Sequence, residues 1–444
     1  MKRLPLFMIL VLICALCSCQ SLTPKPEPEG LTEIPSGYSF TIAGEYGPWA
    51  DVDGANAQGK LLADAYMEVE DELGISISFN HAPGYDQVVS NAFGGRPTAD
   101  FVYLSQQYWI PLAVKGFIRP LNSESIVSAG LDVTDPAEVD IYFTLASREL
   151  DGENVWAMSF SGGYFVNRWG HGLAFNRNLL TAAGYPADEL YALVENGGWT
   201  TERFAEICRT VALWEGKHAV DGGQIDAIAE YSVSSGVRFT ERNAEGRWVS
   251  NADKEGLAST VALFSSLKKD PEVTSKVRDN NLSVLNDFAL GNLAFLAADG
   301  GYFGSESTSL NRVMKTNLGY LPMPVSRGES YLHSVVNLRG FCLETVNSSY
   351  VVSVKIMSRI GELVNDPTAA EARIRSIMPD SDSADTVIKY MLPNTVFDSS
   401  RLNNEVFTLN RDMMDLLFDT KEDISGLARD SLPAIQKAID EIFD

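Results

Sequence analysis

Apolar and polar positions alternate over residues 38–43 (YSFTIA), the period-two signature of a short strand. The period then lengthens. Leu61, Leu62, Ala65, Val69 and Leu73 recur at helical spacing, and Gly74 ends the run. Residues 75–79 (ISISF) alternate again, another helical stretch follows, and residues 100–104 (DFVYL) read as a third strand. Strand, helix and strand at this spacing predict a βαβ unit and a parallel sheet. The middle of the chain is more helical. Thr200 or Thr201 caps a helix carrying Phe204, Ile207, Cys208, Val211 and Trp214, stopped at Gly216. Asn251 or Asp253 opens another, with Leu257, Val261, Phe264 and Leu267 before Lys268, Lys269 and Pro271. Asn347 or Ser348 starts a helix with Val352, Ile356, Ile360 and Leu363, and a last helix runs from about Ser431 with Ile435, Ile439 and Ile442. No 20–50-residue repeat interrupts this order, so the class is α/β and not a solenoid or propeller.

The N-terminus carries a different pattern. Lys2 and Arg3 precede an apolar run, Leu4 to Cys17, shorter than the roughly 20 residues that a membrane-spanning helix needs, so residues 1–18 read as an export signal. Its end, Leu16-Cys17-Ser18-Cys19, resembles the lipobox of bacterial lipoproteins. The resemblance implies cleavage before Cys19 and a diacylglyceryl group on its sulfur; the alternative is an ordinary signal cut elsewhere. Such an anchor would hold the protein to the outer face of the bacterial cytoplasmic membrane. Pro24, Pro26, Pro28 and Pro35 make residues 19–37 an extended tether.

Residues 1–18 contain Lys2 and Arg3 and no acid, so removing them moves the formal charge from −24 to −26. So acidic a chain repels nucleic acid and anionic head groups. With 45% hydrophobic residues among 444, it can bury the core of two or three domains or of one bilobed unit. Cys14 and Cys17 fall in the signal and Cys19 is the expected anchor. Cys208 and Cys342, each in an apolar pattern, read as buried free thiols.

Signatures of catalysis are missing: the chain has no His-Glu-x-x-His, Walker loop, dinucleotide glycine fingerprint or Gly-x-Ser-x-Gly. His81, His171, His218 and His333 lack a second ligand at metal spacing, so no metal or cofactor is expected. The 59 carboxylates make some acid pair inevitable and therefore uninformative about glycoside cleavage. Aromatics in loops are more telling. Trp49 and Asp51 follow the first strand, Gln106, Tyr108 and Trp109 the third, Trp169 and His171 lie in residues 167–172 (NRWGHG), and Asp299 and Tyr302 in residues 299–303 (DGGYF). Open α/β sheets bind ligands at the C-terminal ends of their strands. There a ring can cover the apolar face of a sugar while amides and carboxylates take its hydroxyls. Each ring is equally readable as a core anchor; Trp156 and Trp199 read as core.

In this order the segments resemble the extracellular solute-binding proteins of ABC importers, in the sugar-binding branch related to maltose-binding protein. Gly94-Gly-Arg-Pro-Thr-Ala-Asp100, Lys115-Gly-Phe-Ile-Arg-Pro-Leu121, Gly172-Leu-Ala-Phe-Asn-Arg-Asn-Leu179, Ala183-Gly-Tyr-Pro186 and Gly198-Trp-Thr-Thr-Glu-Arg-Phe204 carry the first part of the likeness. Phe288 to Phe295, Asp299 to Tyr302 and Leu321-Pro-Met-Pro324 carry the rest. The resemblance implies a two-lobed, type II periplasmic-binding-protein fold, each lobe a mainly parallel sheet flanked by helices, with a hinge between. Lobe 1 would comprise 38–168 plus 339–390, and lobe 2 172–337 plus 391–444. A monomer would capture a carbohydrate, in this reading an oligosaccharide, and deliver it to ABC permease subunits without chemistry. Trp49, Asp51, Gln106, Trp169, His171, Asp299, Tyr302 and Arg339 would line its site. Phe175 and Tyr302 depart from the family's usual tyrosine and tryptophan. Two other readings stay open: a binding protein for a polyamine or peptide, and a secreted glycoside hydrolase.

Overall fold

A computed structural model of the chain describes residues 31–44, 57–81, 84–135, 141–161, 169–220, 233–234, 236–252, 281–304, 310–326, 328–334, 338–366, 368–397, 399–419 and 424–443. The elements that position the site are, in chain order, β1 (Ser39–Gly44), α1 (Ala57–Leu73), β2 (Ser76–His81), α2 (Tyr85–Phe93), β3 (Phe101–Ser105), α3 (Gln106–Val114) and α4 (Ile141–Asp151). Next come β4 (Gly172–Asn176), α5 (Thr201–Ala212), β5 (His218–Val220), β6 (Thr240–Arg242), β7 (Trp248–Ser250), β8 (Leu293–Ala298) and β9 (Leu318–Leu321). The last are β10 (His333–Ser334), β11 (Arg339–Cys342), α6 (Tyr350–Val364), β12 (Thr395–Val396), α7 (Asn404–Asp419) and α8 (Ile424–Phe443).

The expected strands and helices form within a few residues of their predicted bounds. Thr200 caps α5, its hydroxyl oxygen accepting the amide of Arg203 at 3.3 Å. The helix expected over 251–267 lies largely outside the described residues. The last helix starts seven residues earlier than expected and runs through Pro433.

Two four-stranded sheets result, ordered β11-β3-β1-β2 and β5-β8-β4-β9. In the first, β1, β2 and β3 are parallel and β11 is antiparallel. In the second, β5 and β8 are parallel and β4 runs opposite to both β8 and β9. Each sheet therefore has three aligned strands and one reversed. The reversed strand is the one that enters from the other lobe. A short parallel pair, β10 with β12, lies on the return path.

The first lobe packs α1 and α6 on its sheet, burying Leu62, Val69, Val352, Ile356 and Ile360 against Phe40, Phe101 and Phe341. Its polar knot is Asp100, whose carboxylate accepts the hydroxyl of Tyr38 (2.6 Å), the amide of Thr41 (2.8 Å) and the hydroxyl of Ser353 (2.6 Å). Those bonds satisfy a buried charge and tie β1, β3 and α6 together. In the second lobe Trp199, Phe204 and Phe295 form a ring cluster with centroids 5.3–6.1 Å apart. Gly172 is needed where β4 begins: a Cβ there would come within 2.5 Å of the Leu321 carbonyl oxygen and 2.6 Å of the Tyr320 ring.

Two segments sit elsewhere than their sequence grouping implied. Residues 374–391, grouped with the first lobe, pack on the second sheet: Ile374, Ile377, Met378, Val387 and Met391 join Ala174, Phe288 and Tyr320 in one core. Arg177 fastens the segment by an ion pair to Asp380, and the Tyr191 hydroxyl adds a 2.9 Å hydrogen bond with the Ser383 hydroxyl. The C-terminal helices, grouped with the second lobe, touch both sides. α7 and α8 pack against α3 of the first lobe. α8 also holds the β6–β7 hairpin, Trp248 stacking on Phe443 at 5.5 Å and Ser250 donating its amide to Gln436 Oε1. Cys208 and Cys342 are free and buried, and burial pushes both thiols well above the ordinary cysteine range.

Candidate functional site

In each sheet the three aligned strands deliver their C-terminal ends to one edge, and the reversed strand starts there. The first edge holds Gly44, His81 and Ser105, with Arg339 paired to Ser105. At the second, Gly172 is paired to Ala298 and Leu173 to Leu321. Because β4 and β11 are entered from the opposite lobe, both edges face the crossings. The chain entering β11 is held by Trp109, whose indole donates to the Leu338 carbonyl at 3.2 Å.

The residues singled out from sequence fall into three groups. Trp49 and Asp51 lie outside the described residues. Gln106, Trp169 and His171 are buried. The Gln106 amide donates to the Arg401 carbonyl at 3.4 Å, and the Trp169 indole donates to the Tyr320 hydroxyl at 3.2 Å within the second lobe's core. Of the two readings of Trp169, the structure takes the core anchor. Asp299, Tyr302 and Arg339 are partly exposed. Asp299 Oδ1 accepts the amide of Gly301 at 2.9 Å, folding the loop into the short helix Gly301–Gly304 that carries Tyr302.

Beside the first edge opens a groove of about 890 Å³. α2 begins after β2 and α3 directly after β3, so both helices start at that edge. Tyr85 and Gln87 from α2, Gln107 and Tyr108 from α3, Lys115 just after it, and Asn403, Asn404 and Thr408 at the start of α7 line it, with Glu441 and Ile442 from the end of α8. Tyr85 and Tyr108 are half-buried and backed by the hydrophobic core, which fixes their rings while leaving one side open. Two fixed rings among amides and a hydroxyl can hold a flat apolar face and bond a polar rim, in a space of the size that ligand sites occupy.

Sequence reasoning pointed to the turn after β3 and to Gln106 and Tyr108 in it; Gln106 is buried, whereas Tyr108 and its neighbour Gln107 line the groove. Tyr85 carried a usable signal, an aromatic after Gly84 at the end of a parallel strand. Asn403 and Asn404 carried none. Among the described residues no group of three His, Cys, Asp or Glu is placed to hold a metal ion, and no helix is long and apolar enough to cross a membrane.

Neither a protein-family model nor a curated protein sequence matches the chain. Solved structures do match its fold. The GacH receptor of Streptomyces glaucescens, solved unliganded and with acarbose, aligns over 92% of this chain and 100% of its own at 14% identity, with a TM-score of 0.60. The sugar-binding protein MalE of Xanthomonas citri aligns over 91% and 98% at 13% identity and TM-score 0.62. The galacto-N-biose-/lacto-N-biose I-binding protein of the ABC transporter from Bifidobacterium longum aligns over 92% and 99% at 10% identity and TM-score 0.62. The chain thus has the MalE-like two-lobed periplasmic-binding-protein fold.

Proposed function

We propose that the protein captures a carbohydrate, an oligosaccharide by the size of the groove, between its lobes and passes it unaltered to an ABC permease. The single observation that carries this is the groove at the strand ends, where Tyr85 and Tyr108 stand among amides in a fold shared with sugar-binding neighbours. In this reading Asp299, Tyr302 and Arg339 complete the site from the crossings and the facing rim, and Trp49 and Asp51 extend it. A ligand that touches both sides gains contacts on closure and so favours the closed state, which the permease reads.

Calorimetric titration of an oligosaccharide panel tests this. Tyr108→Ala should weaken the bound sugar about tenfold, the worth of one stacked ring, and lower the unfolding midpoint only by the packing that a half-buried ring gives up. Unchanged affinity would remove Tyr108 from the site. The carboxylates of the groove favour a polyamine as the rival ligand, so spermidine belongs in the panel. The lipobox reading is part of the proposal: Cys19→Ala should move the protein from the membrane fraction to the soluble one, and retention on membranes would refute the anchor.

A further inference from the structure

We propose that the groove selects neutral or amine-bearing carbohydrates and rejects acidic ones, an inference that rests on the carbohydrate reading above. Its charged walls are Asp86, Glu405 and Glu441 against Lys115. Glu441 is partly offset by Lys437, 3.4 Å away and outside the lining. Asp86 and Glu405 are exposed and, among the described residues, form no ion pair.

Both sit in the first turn of a helix, where an acid ordinarily offsets the positive helix end. The magnitudes decide what is left over. A helix N-terminus carries about half a positive charge, so one full carboxylate over-compensates it, and the C-terminal end of α8 adds a negative half charge of its own. Against these three carboxylates the lining carries one ammonium, that of Lys115 directly after the end of α3. The lining is therefore net negative. The chain as a whole, at formal charge −24, carries the same sign and repels an approaching anion before it arrives. A sugar carboxylate or phosphate meets three carboxylates and a single ammonium, whereas a protonated amino group meets two carboxylates without an ion pair among the described residues, and a neutral sugar carries no charge for them to repel.

The test is calorimetric titration of the full chain with neutral oligosaccharides, glucosamine oligomers, galacturonate oligomers and spermidine, at low and high salt. Neutral and glucosamine oligomers are expected to bind and galacturonates are not. The double variant Asp86→Asn with Glu405→Gln should weaken glucosamine oligomers about fivefold more than neutral ones, the upper worth of an exposed ion pair. High salt should do the same to the unmodified chain. Both substitutions are on exposed positions, and a matching circular dichroism spectrum checks the fold. Galacturonates binding as tightly as neutral oligomers, or an amine preference that survives the double variant, overturns the charge selection. Binding of spermidine but of no carbohydrate overturns the carbohydrate reading instead, and silence across the whole panel overturns both.

Discussion

Trp199→Ala is expected to cost the second lobe about 4 kcal/mol of stability, the usual loss for a fully buried tryptophan. Its side chain is completely buried and meets Phe204 edge-on at 5.9 Å and Phe295 at 6.1 Å. The indole also donates to the Pro322 carbonyl at 2.8 Å, and the flanking backbone is cross-linked, Thr201 donating to Val325 and Val325 to Trp199. Pro322 follows directly on β9 at the cleft edge, so one ring couples the core of the lobe to its rim. Trp199→Phe separates the two contributions: it keeps much of the volume but leaves the buried carbonyl without a donor, which costs about 1–2 kcal/mol. Urea unfolding followed by far-ultraviolet circular dichroism reads both, since removing a tryptophan alters the fluorescence signal. A loss under about 1 kcal/mol for the alanine variant would show that the cluster does not hold the lobe.

The second large effect is expected from Glu344. Its carboxylate is 1% exposed, accepts the amide of Thr98 at 2.6 Å, that of Ala99 at 3.4 Å and the hydroxyl of Thr98 at 3.1 Å. The hydrogen bonds favour the ion, but desolvation outweighs them and pushes the pKa from 4.5 to about 7. The folded state therefore binds the proton more readily than the unfolded chain between those values. This group's stabilisation is complete below pH 4.5 and is lost as pH climbs to about 7, a swing on the order of 3 kcal/mol. Glu344→Gln, which stays neutral at every pH, should flatten that part of the profile and match or exceed the parent at pH 7.5. Denaturation midpoints from pH 4.5 to 7.5 decide it, and parallel slopes for the two proteins would show that the carboxylate does not titrate in this window.

Much of the site's framework was legible in advance because the period of apolar residues reports local geometry. β1, β2 and β3 alternate or run apolar, α1 and α6 carry their core residues at helical spacing, and a strand–helix–strand order leaves little but a parallel sheet. Even so, the pattern reports burial without saying against what. Leu61 satisfies the helical spacing of α1 yet is 42% exposed, and Trp214 satisfies that of α5 but lies past its end.

The loop aromatics show the same limit more sharply. Trp169 and Tyr108 look alike in sequence, each a ring in a polar turn beside glycine or glutamine. Trp169 points at Tyr320, 151 positions away, and becomes core, while Tyr108 has a core behind it and open space in front.

Sequence by itself determined the class of fold, the strand ends at which a ligand site is expected, the buried thiols and the acidity that weighs against anionic ligands. These are properties of periods, residue types and sums, which need no partner. Only the tertiary structure decided that Gln106 turns inward while Gln107 and Tyr108 turn out. It alone showed that residues 374–391 cover the second sheet, that α7 and α8 close a groove on the first lobe, and that Glu344 is desolvated by a loop 246 positions earlier. Each of these depends on which distant surface excludes water from a side chain, and no local pattern encodes that surface.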